Sequence, residues 1–219
     1  MNYKNLGTPH KTDSLALYNC DCMELLRQTP DNYYELCVVD PPYGIDAAKM
    51  GLGKGVGTES RTWENKDWDQ SIPDSAYFKE LKRVSKNQII WGANYFPDME
   101  PTPCWIIWDK MQEFSGATFE MAWTSFKSPA KAFRMARATA YCNREKIHPT
   151  QKPHELYDWI FANYAEKGMK ILDTHMGSGS IAIAAHYAGM HLTACELDED
   201  YYKAACERIE RETAQQTFL

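Results

Sequence analysis

The sequence predicts an α/β protein built on a doubly wound, mostly parallel sheet, and three observations carry that reading. Short apolar runs alternate with segments of helical periodicity along almost the whole chain, the pattern of a sheet covered on both faces. One run, Leu36-Cys37-Val38-Val39, delivers the polar turn Asp40-Pro41-Pro42-Tyr43. Another, Ile171-Leu172-Asp173, delivers Thr174-His175-Met176-Gly177-Ser178-Gly179-Ser180 and then an apolar helical segment, the strand, glycine turn and helix of doubly wound folds. A chain of 219 residues with 44% hydrophobic content can bury a full core, and the length suits one domain over residues 1–219.

The elements follow in order. Residues 15–19 read as a first strand and residues 21–27 as a short helix with Met23, Leu25 and Leu26 available for packing, ended by Thr29-Pro30-Asp31-Asn32. Residues 35–39 are the second strand. Residues 44–71 are rich in Gly, Lys, Thr, Trp and Asp and predict a lid rather than regular structure. Gly51, Gly53, Gly55 and Gly57 stand too far from a strand end to be a nucleotide loop, and Trp63 and Trp68 are candidates either to stack on a base or to anchor the lid. Tyr77, Leu81 and Val84 fall on one side of a helix over residues 77–84. Residues 88–91, 104–108 and 119–125 are strand candidates, with Trp91, Trp105 and Trp108 read as core. Pro153 opens a helix over residues 153–164. After the glycine turn and the helical residues 181–187, a last strand over residues 191–195 ends in Glu196.

Charge is unevenly spread. The net charge of −6 argues against a polyanionic partner, yet residues 127–152 hold seven basic residues and one acid, +6, which leaves −12 on the remainder. An acidic body with one basic face is compatible with DNA, and equally with a solvated charged loop. No apolar stretch approaches 18 residues, which predicts no membrane span and a cytoplasmic location. Seven scattered cysteines fit reduced thiols, and Cys20-x-Cys22 lacks the second pair that a zinc site needs, so no metal is expected.

Asp40-Pro41-Pro42-Tyr43 has the chemistry to act on an exocyclic amino group. The prolines fix φ and remove N–H donors, which leaves the Pro41 carbonyl as an acceptor beside the Asp40 carboxylate. An amine donating to both loses ring conjugation and gains a usable lone pair, while Tyr43 offers a stacking surface to a base that has left the duplex stack. Glu196, beyond the glycines, is placed to accept from ribose hydroxyls. No Gly-Lys-Ser/Thr follows the glycine turn, so phosphate cradling is not expected.

In their order along the chain, Asp40 to Tyr43, the block His148-Pro149-Thr150-Gln151-Lys152-Pro153, and Asp173 to Ser180 resemble the motifs of the beta class of S-adenosylmethionine-dependent amino DNA methyltransferases. The resemblance runs from about residue 15 to residue 208. It implies a circularly permuted, Rossmann-like methyltransferase fold, a small basic target-recognition region at about 109–147, duplex DNA as partner and homodimerisation. It also implies roles: Asp40, Pro41, Pro42 and Tyr43 in catalysis, and Asp21, Cys22, Asp40, His148, Thr150, Lys152, Asp173, Met176, Gly177, Ser178, Gly179, Ser180 and Glu196 around the cofactor. In that scheme Asp21 accepts from the cofactor's adenine amine, and Thr150 and Lys152 bind its carboxylate. Asp21 reads equally well as a helix cap. His148 taken alone reads as a packed structural histidine. Thr174 and His175 replace the Pro-Phe usual in the family, which puts the shape of that loop wall in question. The expected reaction is adenine-N6 methylation by base flipping and direct in-line transfer. The alternatives are cytosine-N4 methylation on a very similar site and a catalytically idle DNA-binding protein on the same scaffold.

Overall fold

The computed structural model describes residues 3–46, 69–112, 117–140, 142 and 146–214, with the backbone alone at Arg137. Within them the chain builds a nine-stranded sheet in the order β1-β2-β9-β8-β3-β4-β6-β5-β7. The strands are β1 (His10–Lys11), β2 (Leu15–Asn19), β3 (Tyr34–Val39), β4 (Ser85–Trp91), β5 (Trp105–Asp109), β6 (Phe119–Thr124), β7 (Lys131–Arg134), β8 (Lys170–Asp173) and β9 (His191–Glu196). The five neighbours β2, β9, β8, β3 and β4 run parallel, whereas β6 is antiparallel to both β4 and β5.

Alternation along the strands sorts the core into two layers. Leu36 and Val38 pack with Leu156, Ile160 and Phe161 of helix α4 (His154–Tyr164) and with Ile181 to Ala185 of α5 (Ser180–Ala188). Cys37 and Val39 face the other way, against Leu25 and Leu26 of α1 (Cys22–Gln28) and Tyr77, Leu81 and Val84 of α2 (Ser75–Val84). A period-2 strand buried on both sides needs apolar residues at every position, and β3 has them from Leu36 to Val39. Trp91 and Trp108 lie in the first layer, as the sequence predicts.

Two connections leave the middle of the sheet in opposite directions. The β3-α2-β4 crossover moves one way from β3, and β8-α5-β9 moves the other way from its neighbour β8. The order reverses between β3 and β8, where a crevice opens outside the carboxyl ends of the strands. Asp40 and Asp173 stand at those two ends, brought together by the pairing of Leu36 with Ile171 and of Cys37 with Leu172.

Two features were not expected from the sequence. Residues 199–214 form α6 (Glu199–Ala214), whose Tyr201, Ala205 and Ile209 carry a narrow apolar stripe through a highly charged segment. Lys131–Arg134, inside the basic segment, is an edge strand paired with β5, and its exposed cations guard an open edge as well as offering charge. The expected recognition region at 109–147 therefore shares β6 and β7 with the sheet. Of the expected lid, residues 47–68 lie outside the described residues, and with them Gly51, Gly53, Gly55, Gly57, Trp63 and Trp68. Among the described residues no helix is long and apolar enough to cross a membrane.

Candidate active site

The turn after β3 is held from three sides. Asp69, 2% exposed, accepts from the N–H of Tyr43 at 2.7 Å and of Gly44 at 2.9 Å through one carboxylate oxygen, and its carbonyl takes the N–H of Asp46 at 3.0 Å. Prolines 41 and 42 have no N–H to donate, so the first two amides free to be pinned after Asp40 are those of Tyr43 and Gly44. Gly92, at φ +69, ends β4 beneath the Tyr43 ring; a Cβ there would meet ring carbons at 2.0–2.5 Å. Tyr95, half exposed on the short 3₁₀ helix that follows (Ala93–Tyr95), stacks on Tyr43 with centroids 5.2 Å apart and planes 14° off parallel.

Asp40 is already in company. Its Oδ1 accepts from the Tyr43 hydroxyl at 2.5 Å and its Oδ2 from the Lys152 ammonium. Lys152 also sits 3.1 Å from Oε2 of Glu120, whose Oε1 is 2.7 Å from Lys110 Nζ. Burial pushes the Asp40 carboxyl above its usual range, with Lys152 pulling the other way and Glu120 adding to the rise. Burial pushes Glu120 up too, but the ammoniums of Lys152 and Lys110 outweigh it and hold its carboxyl at about 2. Burial works against the Lys152 charge, and Asp40 and Glu120 more than compensate, so the ammonium titrates above its usual range. The resemblance implies a cofactor carboxylate as the partner of Lys152; here the side chain is drawn to two buried carboxylates, because a desolvated ammonium binds the nearest anions.

Beside Asp40 opens a cavity of about 220 Å³, roughly fifteen times what one water requires. Every residue expected around the cofactor lines it except Asp173 and Gly179. Asp173, 3% exposed, instead ties the turn together by accepting the His175 N–H at 3.0 Å, and burial raises its carboxyl to about 8. Gly179 is a packing residue: a Cβ there would meet Ile209 Cδ1 of α6 at 2.7 Å, so the glycine lets α6 close on the loop. Gly177 does face the cavity, and its N–H donates to Glu196 Oε2 at 2.8 Å while Asp198 N–H donates to Oε1 at 3.0 Å. Burial raises the Glu196 carboxyl, opposed by these backbone donors.

Asp21 caps α1 by accepting the Met23 N–H at 2.8 Å, and it also lines the cavity. His148 packs edge-on to Tyr201 with centroids 4.4 Å apart, and its Nδ1 lies 3.1 Å from the Thr150 hydroxyl. Ser180 hydroxyl donates to the Lys152 carbonyl at 2.6 Å, which joins the glycine turn to the His148–Pro153 block. Where Pro-Phe is usual, Thr174 hydroxyl bonds Tyr77 hydroxyl at 2.7 Å and His175 Nδ1 at 2.9 Å, and burial lowers His175 to about 4. A hydrogen-bonded polar pair thus forms this part of the cavity wall. Arg208 on α6, 3% exposed, donates to the Ser178 carbonyl at 2.9 Å and to the Ser180 hydroxyl at 3.0 Å. Asp69, Gly92, Tyr95, Glu120 and Arg208 had no signal in the sequence, because each acts through a partner far along the chain.

The DNA methylase family model matches residues 98–207, a stretch that contains the His148 block, the glycine turn and Glu196. The chain belongs to this family. It is a DNA methyltransferase of the N6/N4 group. It is 21% identical to the type II methyltransferase M.ScaI of Streptomyces caespitosus, over 95% of this chain and 86% of that one. Over a third of its length (33%, and 23% of the relative) it is 32% identical to the type II methyltransferase M.HpaI of Haemophilus parainfluenzae. Among solved structures, the cytosine-N4-specific PvuII DNA methyltransferase superposes with a TM-score of 0.64 at 14% identity, covering 96% of each chain. A complex of M1.HpyAVI with SAM superposes with a TM-score of 0.57 at 17% identity, covering 89% of this chain and 99% of that one. At these identities the superpositions show the methyltransferase fold.

Proposed function

We propose that this methyltransferase moves a methyl group from S-adenosylmethionine to N6 of adenine in duplex DNA. The observation that carries the reading is the position of Asp40 and Pro42 on the wall of the cavity at the point where strand order reverses, with Tyr43 beside them. The donor is S-adenosylmethionine. The residues present suit it: Glu196 and Asp21 offer carboxylates to hydroxyl and amine donors, Met176, Tyr157 and Tyr201 offer apolar walls to a flat ring, and Thr150 and Ser178 offer hydroxyls to a carboxylate. When bound it supplies an electrophilic methyl on a sulfonium.

The chain's own residues then do the rest. The target base leaves the stack and meets the aromatic pair of Tyr43 and half-exposed Tyr95, with Gly92 packed against the Tyr43 ring. Asp40 and the Pro41 carbonyl accept from the exocyclic amine, which turns its lone pair out of conjugation, and the Asp40 charge stabilises the positive charge that develops on nitrogen. The released proton goes to solvent. We assign the region at about 109–147 to target recognition and the chain to one methyltransferase domain.

Tritiated S-adenosylmethionine and plasmid DNA, followed by chromatography of the digested nucleosides, test the assignment: label is expected in N6-methyladenine. The superposition on a cytosine-N4-specific enzyme supports a second reading, in which the same site holds the cytosine N4 amine. Label running only with N4-methylcytosine decides for that reading and leaves the mechanism in place, whereas label confined to RNA overturns the substrate class.

A further inference from the structure

At the acceptor end of the site Lys152 and Glu120 have no task in the reaction as described, yet they form one ion cluster with Asp40. Both Asp40 oxygens are occupied, Oδ1 by the Tyr43 hydroxyl and Oδ2 by the Lys152 ammonium. An ammonium in that position opposes catalysis twice. It takes the carboxylate face that an incoming amine needs, and its positive charge lies beside the nitrogen on which positive charge develops. The structure also provides a second seat. Lys152 Nζ is already 3.1 Å from Glu120 Oε2, and Glu120 is fixed on β6 with Lys110 on its other oxygen at 2.7 Å.

We propose that Lys152 is a transferable counter-ion: it clamps Asp40 while the acceptor subsite is empty, and passes to Glu120 when an exocyclic amine takes its place on Asp40. Glu120 is then a positioning residue of the reaction. This rests on the function proposed above. The exchange needs little movement, because the ammonium shifts between two anions it already touches, and no charge enters or leaves the buried cluster. With Lys152 on Asp40 the site has a neutral face, which disfavours capture of stray cations. With Lys152 on Glu120 the Asp40 charge faces the amine.

The groups that face Asp40 are Lys152 ahead of α4, Glu120 on β6, Tyr43 on its own turn and Asp173 at the end of β8, while Tyr157 of α4 faces Tyr43. Their signs make the test specific. Loss of the Glu120 charge leaves Lys152 wholly on Asp40 and lowers the Asp40 titration, whereas loss of the Lys152 charge leaves Asp40 buried beside an anion and raises it.

The experiment uses the full chain carrying Glu120→Gln, Lys152→Met, or both, with the Asp40 midpoint read from carbon-13 carboxyl resonances, S-adenosylmethionine affinity from calorimetry and kcat from tritium transfer to DNA. The two single variants are expected to move the Asp40 midpoint in opposite directions. Glu120→Gln is expected to lower kcat on the order of a hundredfold with cofactor affinity unchanged, and to cost nothing further in the Lys152→Met background. Midpoints that move together, an unchanged kcat in Glu120→Gln, or effects that add in the double variant overturn the proposal. Should Lys152→Met fail to fold, Glu120→Gln decides by midpoint and rate together: a lowered Asp40 midpoint with a lowered kcat and unchanged cofactor affinity supports the exchange, and an unmoved midpoint or an unchanged kcat overturns it. A wild-type chain that binds S-adenosylmethionine and methylates no DNA refutes the proposed reaction, and the Asp40 midpoints still decide whether Lys152 is shared.

Discussion

Replacing Gly92 with alanine is expected to disable methyl transfer while sparing the cofactor cavity. Its Cβ would stand 2.0 Å from Tyr43 Cε1 and 2.5 Å from Cζ. Ordinary carbon contact begins near 3.5 Å, so the ring must retreat by about 1.5 Å or the strand end must shift. Alanine is also strained at φ +69, where a side chain costs about 1–2 kcal/mol, and overpacking adds about 1–3 kcal/mol. The sum, roughly 2–5 kcal/mol, corresponds to a fall in Tm of roughly 4–20 °C for a chain of this size. Since a displacement near 1 Å at a reacting centre costs on the order of a hundredfold, kcat should fall at least that far. Gly92 does not line the cavity, so S-adenosylmethionine affinity by calorimetry should stay at the wild-type value. A folded Gly92→Ala protein with wild-type kcat would show that the position of the Tyr43 ring is irrelevant to transfer, and the stacking role would fall.

Asp40→Ala should abolish methyl transfer and keep cofactor binding, since Asp40 faces the acceptor; loss of cofactor affinity in a folded protein would mean that the two subsites are assigned the wrong way round. Asp69→Ala removes the acceptor for two backbone N–H groups, each costing about 1–3 kcal/mol if left unsatisfied, so denaturant titration should show a clear loss of stability together with reduced kcat, and an unchanged midpoint would contradict the staple. Asp173 is held at about 8, above its unfolded value. The folded state therefore keeps a proton that the unfolded state has released, and stability from this group falls as pH rises from about 4 to 8. Asp173→Asn should gain stability relative to wild type across that window in paired urea melts, and a constant difference would refute the buried proton. Lys127→Gln with Arg134→Gln should weaken DNA binding and reduce its log-log salt slope by about 0.9 for each phosphate no longer neutralised; the same slope in both proteins would leave the basic segment as edge protection.

Much of this molecule was legible in one dimension because the controlling interactions are local. Short apolar runs marked β2, β3, β8 and β9 to within a residue or so. Proline at the start of α4 and Asp21 ahead of α1 marked helix beginnings, since a cap needs only its own next turn. Asp40 to Tyr43 and the glycine turn were visible as chemistry for the same reason, as contiguous residues whose backbone restrictions are intrinsic. α6 was not, because its buried stripe is only Tyr201, Ala205 and Ile209 in a charged segment, and what receives that stripe, including Gly179, lies elsewhere in the chain.

By itself, then, the sequence determined the fold class, the family and the two turns that meet at the site. Only the tertiary structure decided how charge is arranged there. Lys152 and Asp40 are 112 positions apart, Arg208 and Ser178 are 30 apart, and Asp69 reaches back along the chain to Tyr43. A strand's hydrophobic period is written into the strand, but the partner of a buried charge is whatever ion packing brings within about 4 Å of it, and its protonation follows from the solvent stripped away as it is buried.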